Sequence, residues 1–230
     1  SMELGGNAAF IVCADADVDA AVDGAMVAKM RNNGEACIAA NRFLVHADIA
    51  EEFSAKLAAR MSALPMGNGL AAGVKVGPLI DAAQRDKVAG LVADATGQGA
   101  RVVLGGTAPD GAGYFFPPTV ITDVPASARL NTEEIFGPVA PITVFTDDAE
   151  AIRLANDTEF GLATYLYTRD IGRAVTLSEQ LQTGMVGLNR GLVSDPAAPF
   201  GGVKQSGLGR EGGSTGIHEY LETKYVALSV

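Results

Sequence analysis

Short apolar runs alternate with longer stretches whose apolar residues recur at helical spacing. This alternation restricts the chain more than any other feature. AAFIVC (Ala8–Cys13) reads as a buried strand, and DVDAAVDGAMVAKMR follows with Val18, Ala21, Val22 and Ala25 on one helical face. RFLVH (Arg42–His46) is the next strand. Asp48 then opens a helix with Glu51 three residues on, a capping-box pattern, and Pro65 with the MGNG turn closes it. The same logic predicts a helix from Asp81 to Gln98, a strand at RVVLGG (Arg101–Gly106) and a strand at PITVF (Pro141–Phe145). A helix from Asp147 to Asn156, a strand at ATYLYT (Ala163–Thr168), a helix from Ile171 to Leu181 and a strand at MVGLN (Met185–Asn189) complete the series. Strands in alternation with helices predict an α/β fold with a largely parallel sheet. Gly191 to Gly216 breaks the pattern: it is rich in Gly, Pro and Ser, and loops of that length are usually functional.

Composition narrows the function. The chain has 230 residues, 48% of them hydrophobic and 19% charged, which suits a packed core rather than disorder. A net charge of −10 argues against nucleic-acid binding, whose footprint is basic. Two cysteines cannot build a disulfide framework or a four-ligand zinc site. No apolar run approaches the roughly 18 residues of a membrane helix, and SMELGGNAAF has no signal-peptide pattern. The expectation is a cytoplasmic protein with reduced thiols, no membrane partner and no metal.

Several residues invite a chemical reading. Gly207, Gly209 and Gly212 spell G-x-G-x-x-G, but only 18 residues follow Gly212, too few for a dinucleotide-binding βαβ unit, so a tight loop is the better account. His46 and His218 have no ligand-like spacing to either cysteine. Cys13 lies in an apolar strand and reads as a small buried hydrophobe. Cys37, in RNNGEACIAANR, lies between a helix and a strand, where free amide donors would favour a thiolate. Glu3 precedes Leu4-Gly5-Gly6, and Glu134 lies in EEIFGPV before an obligatory turn at Gly137-Pro138. Read alone, an inert thiol and two solvated carboxylates remain the plainer account of these three.

Four ordered motifs together carry more. MELGG (Met2–Gly6), NNGEAC (Asn32–Cys37), EEIFGPV (Glu133–Val139) and PFGGVKQSGLGREGG (Pro199–Gly213) resemble the aldehyde dehydrogenase superfamily over essentially the whole chain. The resemblance implies that Cys37 is the nucleophile, Glu3 the general base, Glu134 the glutamate that bonds the nicotinamide ribose and Phe136 the aromatic beside the nicotinamide. It implies NAD or NADP as cofactor, an aldehyde as substrate and a homo-oligomer. It also implies a three-layer catalytic domain over residues 1–219, with YLETKYVALSV supplying at 220–230 a C-terminal oligomerisation strand.

RNNGEAC, GLVSDPAAPFGGVKQSGLGREG and EYLETKY look most like the succinate-semialdehyde dehydrogenase branch, in which positions matching Arg31 and Ser194 hold the substrate's distal carboxylate. A guanidinium and a hydroxyl suit that anion; Arg31 could equally serve as a cation at a helix C-terminus. Two departures stand out. Ala39 occupies a position where some members carry a second cysteine, so no disulfide can form there. Glu35 replaces the usual glutamine, and an added carboxylate would disfavour a thiolate.

The resemblance further implies that most cofactor contacts lie in a dinucleotide-binding domain preceding ELGG, so this chain is expected to be a catalytic domain inactive in oxidation by itself. Glu3, two residues from the terminus, is expected to fray. Competing readings are a dehydrogenase for another small semialdehyde, a cofactor-free Cys37 esterase and a non-catalytic scaffold.

Overall fold

The computed structural model describes all 230 residues. In chain order the elements are β1 (Met2–Glu3), β2 (Ala8–Val12), α1 (Val18–Met30), β3 (Ala40–His46), α2 (Ala50–Ser62), α3 (Ala82–Gly97), β4 (Arg101–Leu104) and β5 (Thr119–Thr122). They continue with β6 (Val139–Phe145), α4 (Asp148–Asn156), β7 (Phe160–Gly161), β8 (Ala163–Tyr167), α5 (Ile171–Gln180), β9 (Met185–Leu188), β10 (Val203–Lys204) and β11 (Gly207–Leu208). Aspartates start four of the α-helices: Asp17, Asp81, Asp147 and Asp170 each accept a backbone N–H in the first turn.

Seven strands form one sheet in the order β4-β5-β6-β3-β2-β8-β9, parallel throughout except for the antiparallel β4–β5 pair. Alternate strand residues point to opposite faces. Phe10, Val12, Phe43, Val45, Tyr165 and Tyr167 pack with α1 and α2 residues such as Val22, Ala25, Phe53 and Leu57. Ile11, Leu44 and Leu166 pack with Ala151, Ala155 and Leu177 of α4 and α5. Ile121 of β5 and Val139 of β6 pack with Val88, Leu91 and Val92 of α3. The result is three layers, as expected. Buried Arg42 locks one face to the sheet: its guanidinium donates to Leu154 O and Ala155 O at the end of α4 and to Asn7 O beside β2. It thereby satisfies carbonyls that a helix C-terminus leaves free.

Several local expectations are corrected. The capping box at Asp48 and Glu51 does not form: His46 Nδ1 accepts the Asp48 N–H at 3.2 Å, a 3₁₀ turn covers Ala47–Ile49, and α2 starts at Ala50. The ring two residues earlier takes the Asp48 N–H that Glu51 would accept in a capping box. Strand β5 has no counterpart in the sequence reading; four residues after Pro117-Pro118 are too few to show a period. Met2 and Glu3 are tied into the fold, since β1 pairs with β11 (Met2 with Leu208, Glu3 with Gly207) and Leu4 N donates to Ser206 O. Gly207, Gly209 and Gly212 have φ of 126°, 80° and 70°; the first lies in β11 and the other two in the loop that follows it.

Residues 221–230 form no strand within this chain and are exposed, with Tyr225, Val226, Leu228 and Val230 open to solvent. No helix is long and apolar enough to cross a membrane.

Candidate active site

Cys37 lies on the turn between α1 and β3. Helix α1 ends at Met30, and Arg31 to Gly34 form a 3₁₀ turn containing three left-handed residues, Asn32, Asn33 and Gly34. Asparagine tolerates that conformation because its short side chain can bond locally. Asn32 Nδ2 donates to Glu35 O at 2.8 Å, while Asn33 bonds both the N–H and the C=O of Gly77. Reversed in this way, the chain delivers Cys37 against the segment Gly5-Gly6. A Cβ on Gly6 would collide with the Cys37 carbonyl, so the close approach requires glycine.

Glu134 arrives from the other side. Its Oε1 accepts the Gly6 N–H at 3.1 Å, and a Cβ on Gly5 would stand 2.9 Å from Oε2. The ELGG turn therefore separates and touches both groups. Glu3, at the start of that turn, has both carboxylate oxygens buried, and neither accepts a hydrogen bond from the chain.

The electrostatics follow from this crowding. Burial pushes the Cys37 thiol above its ordinary range, and the Glu134 and Glu3 carboxylates push in the same direction. The backbone N–H groups of Cys37 and Ile38 oppose the shift without overcoming it. The expected amide donors are thus present, but the net shift is opposite to the expectation. Glu35 does not contribute as expected either, because it turns away and accepts the Ile80 N–H at 3.2 Å. Burial, followed by the Glu211 carboxylate, raises the pKa of Glu3, and Arg210 pulls it back. Glu134 is raised by burial and lowered by the Gly6 N–H, Lys87 and Lys29. Cys13 is 1% exposed, and burial pushes it up to about 12, consistent with an inert thiol.

The remaining sequence candidates lie further out. Phe136 has φ +56°, a left-handed conformation rare for a bulky residue, and Gln84 Nε2 donates to its carbonyl at 2.8 Å. Arg31 is exposed and lines a small cleft with Val27, Ile38, Tyr165, Gly191 and Leu192. Gly191 lets its loop lie on α1, since a Cβ there would sit 2.8 Å from Gly24 Cα. Ser194, two residues beyond Leu192, is exposed and makes no hydrogen bond with the chain. The fold therefore joins Cys37, Glu134 and the ELGG turn tightly, and leaves Arg31 and Ser194 exposed with no hydrogen bond between them.

Sequence reasoning missed Arg210, whose guanidinium donates to Gly202 O and Gly209 O and bears on Glu3. It also missed Lys29, fully buried at the end of α1. A lysine inside an otherwise apolar helical face was the available signal. No three His, Cys, Asp or Glu side chains are grouped to hold a metal ion.

Comparison with known proteins identifies the family and the fold. The aldehyde dehydrogenase family profile matches residues 1–226. A succinate-semialdehyde dehydrogenase of Paenarthrobacter nicotinovorans is 58% identical over 229 residues, covering 100% of this chain and 51% of that protein. A glutarate-semialdehyde dehydrogenase of Pseudomonas aeruginosa is 54% identical, covering 99% of this chain and 47% of the relative. Among solved structures, succinate-semialdehyde dehydrogenase from Burkholderia pseudomallei superposes with a TM-score of 0.97 at 52% identity, over 100% of this chain and 48% of that one. The chain thus spans about half the length of the relatives it matches. With a family profile that matches nearly every residue, and a sheet and site arranged as described, this chain belongs to the aldehyde dehydrogenase family.

Proposed function

We propose that this chain is the catalytic part of an NAD(P)-dependent dehydrogenase that oxidises succinic semialdehyde, or a close homologue with a distal carboxylate, to the acid. The observation that carries the reading is the packing of Cys37 and Glu134 on the two faces of the ELGG turn that Glu3 opens. Residues 1–219 form the catalytic domain, and 220–230 serve as a strand for a neighbouring copy. Cytoplasmic location belongs to the same proposal.

The chemistry follows from the site. Cys37 Sγ attacks the aldehyde carbon, and the Cys37 backbone N–H is the chain's own donor to the developing oxyanion. The thiol is protonated at rest, so its proton must leave as sulfur attacks. Glu3 is suited to take it: burial makes this carboxylate a stronger base than usual, and both its oxygens are free of other donors. Attack gives a thiohemiacetal, which would become a thioester on Cys37 only by losing hydride to a bound dinucleotide; Glu3, its first proton passed to solvent, then takes another from the water that cleaves that thioester.

The residues present fit a nicotinamide dinucleotide, because Glu134 is oriented through Oε1 while Oε2 remains open to a ribose hydroxyl, with Phe136 nearby in sequence. The dinucleotide, when bound, supplies the hydride acceptor. Glu134 and Phe136 would hold its nicotinamide end, and Arg31 with Ser194 would hold the substrate carboxylate.

The test is reduced-nucleotide formation from succinic semialdehyde with NAD or NADP. It is run on this chain alone and with the amino-terminal half of the Paenarthrobacter relative added. Turnover that disappears in Cys37→Ala is the expected result. Turnover that survives Cys37→Ala, or its absence from both mixtures, would remove the reading.

A further inference from the structure

Five consecutive carbonyls, Glu133 to Gly137, are each taken by a side chain from another element. Asn41 Nδ2 donates to Glu133 O at 3.0 Å, and Lys87 Nζ to Glu134 O at 2.8 Å. Gln84 Nε2 donates to Ile135 O at 2.9 Å and Phe136 O at 2.8 Å, and Lys29 Nζ to Gly137 O at 3.3 Å. Asn41 Oδ1 also accepts the Ile135 N–H at 2.8 Å. A loop carrying Phe136 at φ +56° is thus held along its whole length.

Lys29 differs from its fellow donors. Lys87 is exposed and Gln84 half-buried, whereas Lys29 is 0% exposed and projects from the last turn of α1, directly before the turn that carries Cys37. Buried ammonium groups are strongly disfavoured unless something nearby compensates. Two groups offset part of that cost here, the Gly137 carbonyl and the charge of Glu134. The same contact region is tight elsewhere: a Cβ on Gly34 would crowd both the Gly137 carbonyl and Lys29 O.

We propose that Lys29 is a positioning residue that braces the Glu133–Gly137 segment against the Cys37 turn, so that the nucleophile and the cofactor-contacting groups are held as one body. Its functional meaning rests on the reading of Glu134 and Phe136 given above; the brace itself does not. An aliphatic residue of equal length would fill the same space but leave the Gly137 carbonyl with only the local Val139 N–H, which does not tie it to α1, and Glu134 without the neighbouring Lys29 charge.

Amide hydrogen exchange tests this on the chain as it stands. Lys29→Met should speed exchange in peptides covering 133–139 by about tenfold, the effect of about 1.4 kcal/mol of lost local stability, while peptides of β2 keep their rates. Lys29→Arg, which retains charge and donors, should restore most of the protection. Unchanged exchange at 133–139 in a folded Lys29→Met chain overturns the proposal, and so does an equal increase everywhere. If Lys29→Met does not fold, the double variant Lys29→Met, Glu134→Gln decides, because it removes both buried charges. Recovered folding supports the pairing, and continued failure overturns it. None of these readouts needs a nucleotide. The ribose reading fails separately, if Glu134→Gln leaves nicotinamide-dinucleotide affinity unchanged in the reconstituted mixture.

Discussion

Two regions of the site are built in opposite ways. Around Cys37 and Glu134, backbone touches backbone, glycine is required at the contact, and every carbonyl from 133 to 137 is held. Around Arg31 and Ser194 the side chains are exposed, and neither bonds the other. The first region fixes its groups relative to one another, which the covalent step proposed above would need. The second places a charge and a hydroxyl on loops whose change costs the fold little.

The contrast can be broken experimentally. The largest effect is expected at Cys37: Cys37→Ala should abolish alkylation of the native chain by iodoacetamide, because the only other thiol, Cys13, is buried. Rapid labelling of the variant would show that Cys13 is reachable and the site differently arranged. Gly6→Val should destabilise the chain by about 1–3 kcal/mol in urea unfolding, through overpacking against the Cys37 backbone. An unchanged midpoint would mean that the two turns do not touch.

Arg31→Ala should leave the urea midpoint within about 0.5 kcal/mol but raise KM for succinic semialdehyde roughly 10–100-fold in the reconstituted mixture, the loss of one charge-assisted bond. Ser194→Ala should raise it only about 2–10-fold. If Arg31→Ala unfolds the chain, this exposed region is in truth part of the core.

A pH experiment sharpens the same contrast. Burial, opposed by Glu134, lowers Lys29 to about 7 in the fold, against an ordinary value of 10.5. Between these values the unfolded chain binds the extra proton, so stability should rise with pH above about 7. Cys13 and Cys37 have raised values and act in the opposite sense only above about pH 9. The urea midpoint should therefore rise between pH 7 and 9, and Lys29→Met should flatten that rise. An equal slope in both proteins would show that Lys29 is not the group responsible.

Most of the layered fold was legible because it depends on patterns local in the sequence. Helical spacing over α1, α4 and α5, aspartates at their starts, and apolar runs at β2, β3, β8 and β9 are properties of adjacent residues. Strand β5 was invisible because four residues carry no period, and it is a strand only because β4 and β6 pair with it. The Asp48–Glu51 box is missing because a neighbouring histidine ring takes the Asp48 N–H that Glu51 would accept.

For the site, the sequence by itself determined the chemistry available: a thiol, two carboxylates beside glycines, a guanidinium and a hydroxyl, in an order that matches one family. Only the tertiary structure decided their states. Glu3 is held because β11, some 200 residues later, pairs with it. Cys37 is raised by its burial and then by Glu134, which is distant in sequence but shares the Gly5-Gly6 turn with it. Lys29 is significant because its helix ends against Gly137. Burial and charge proximity belong to the folded chain as a whole, and they set the protonation of a side chain whose identity the sequence had already fixed.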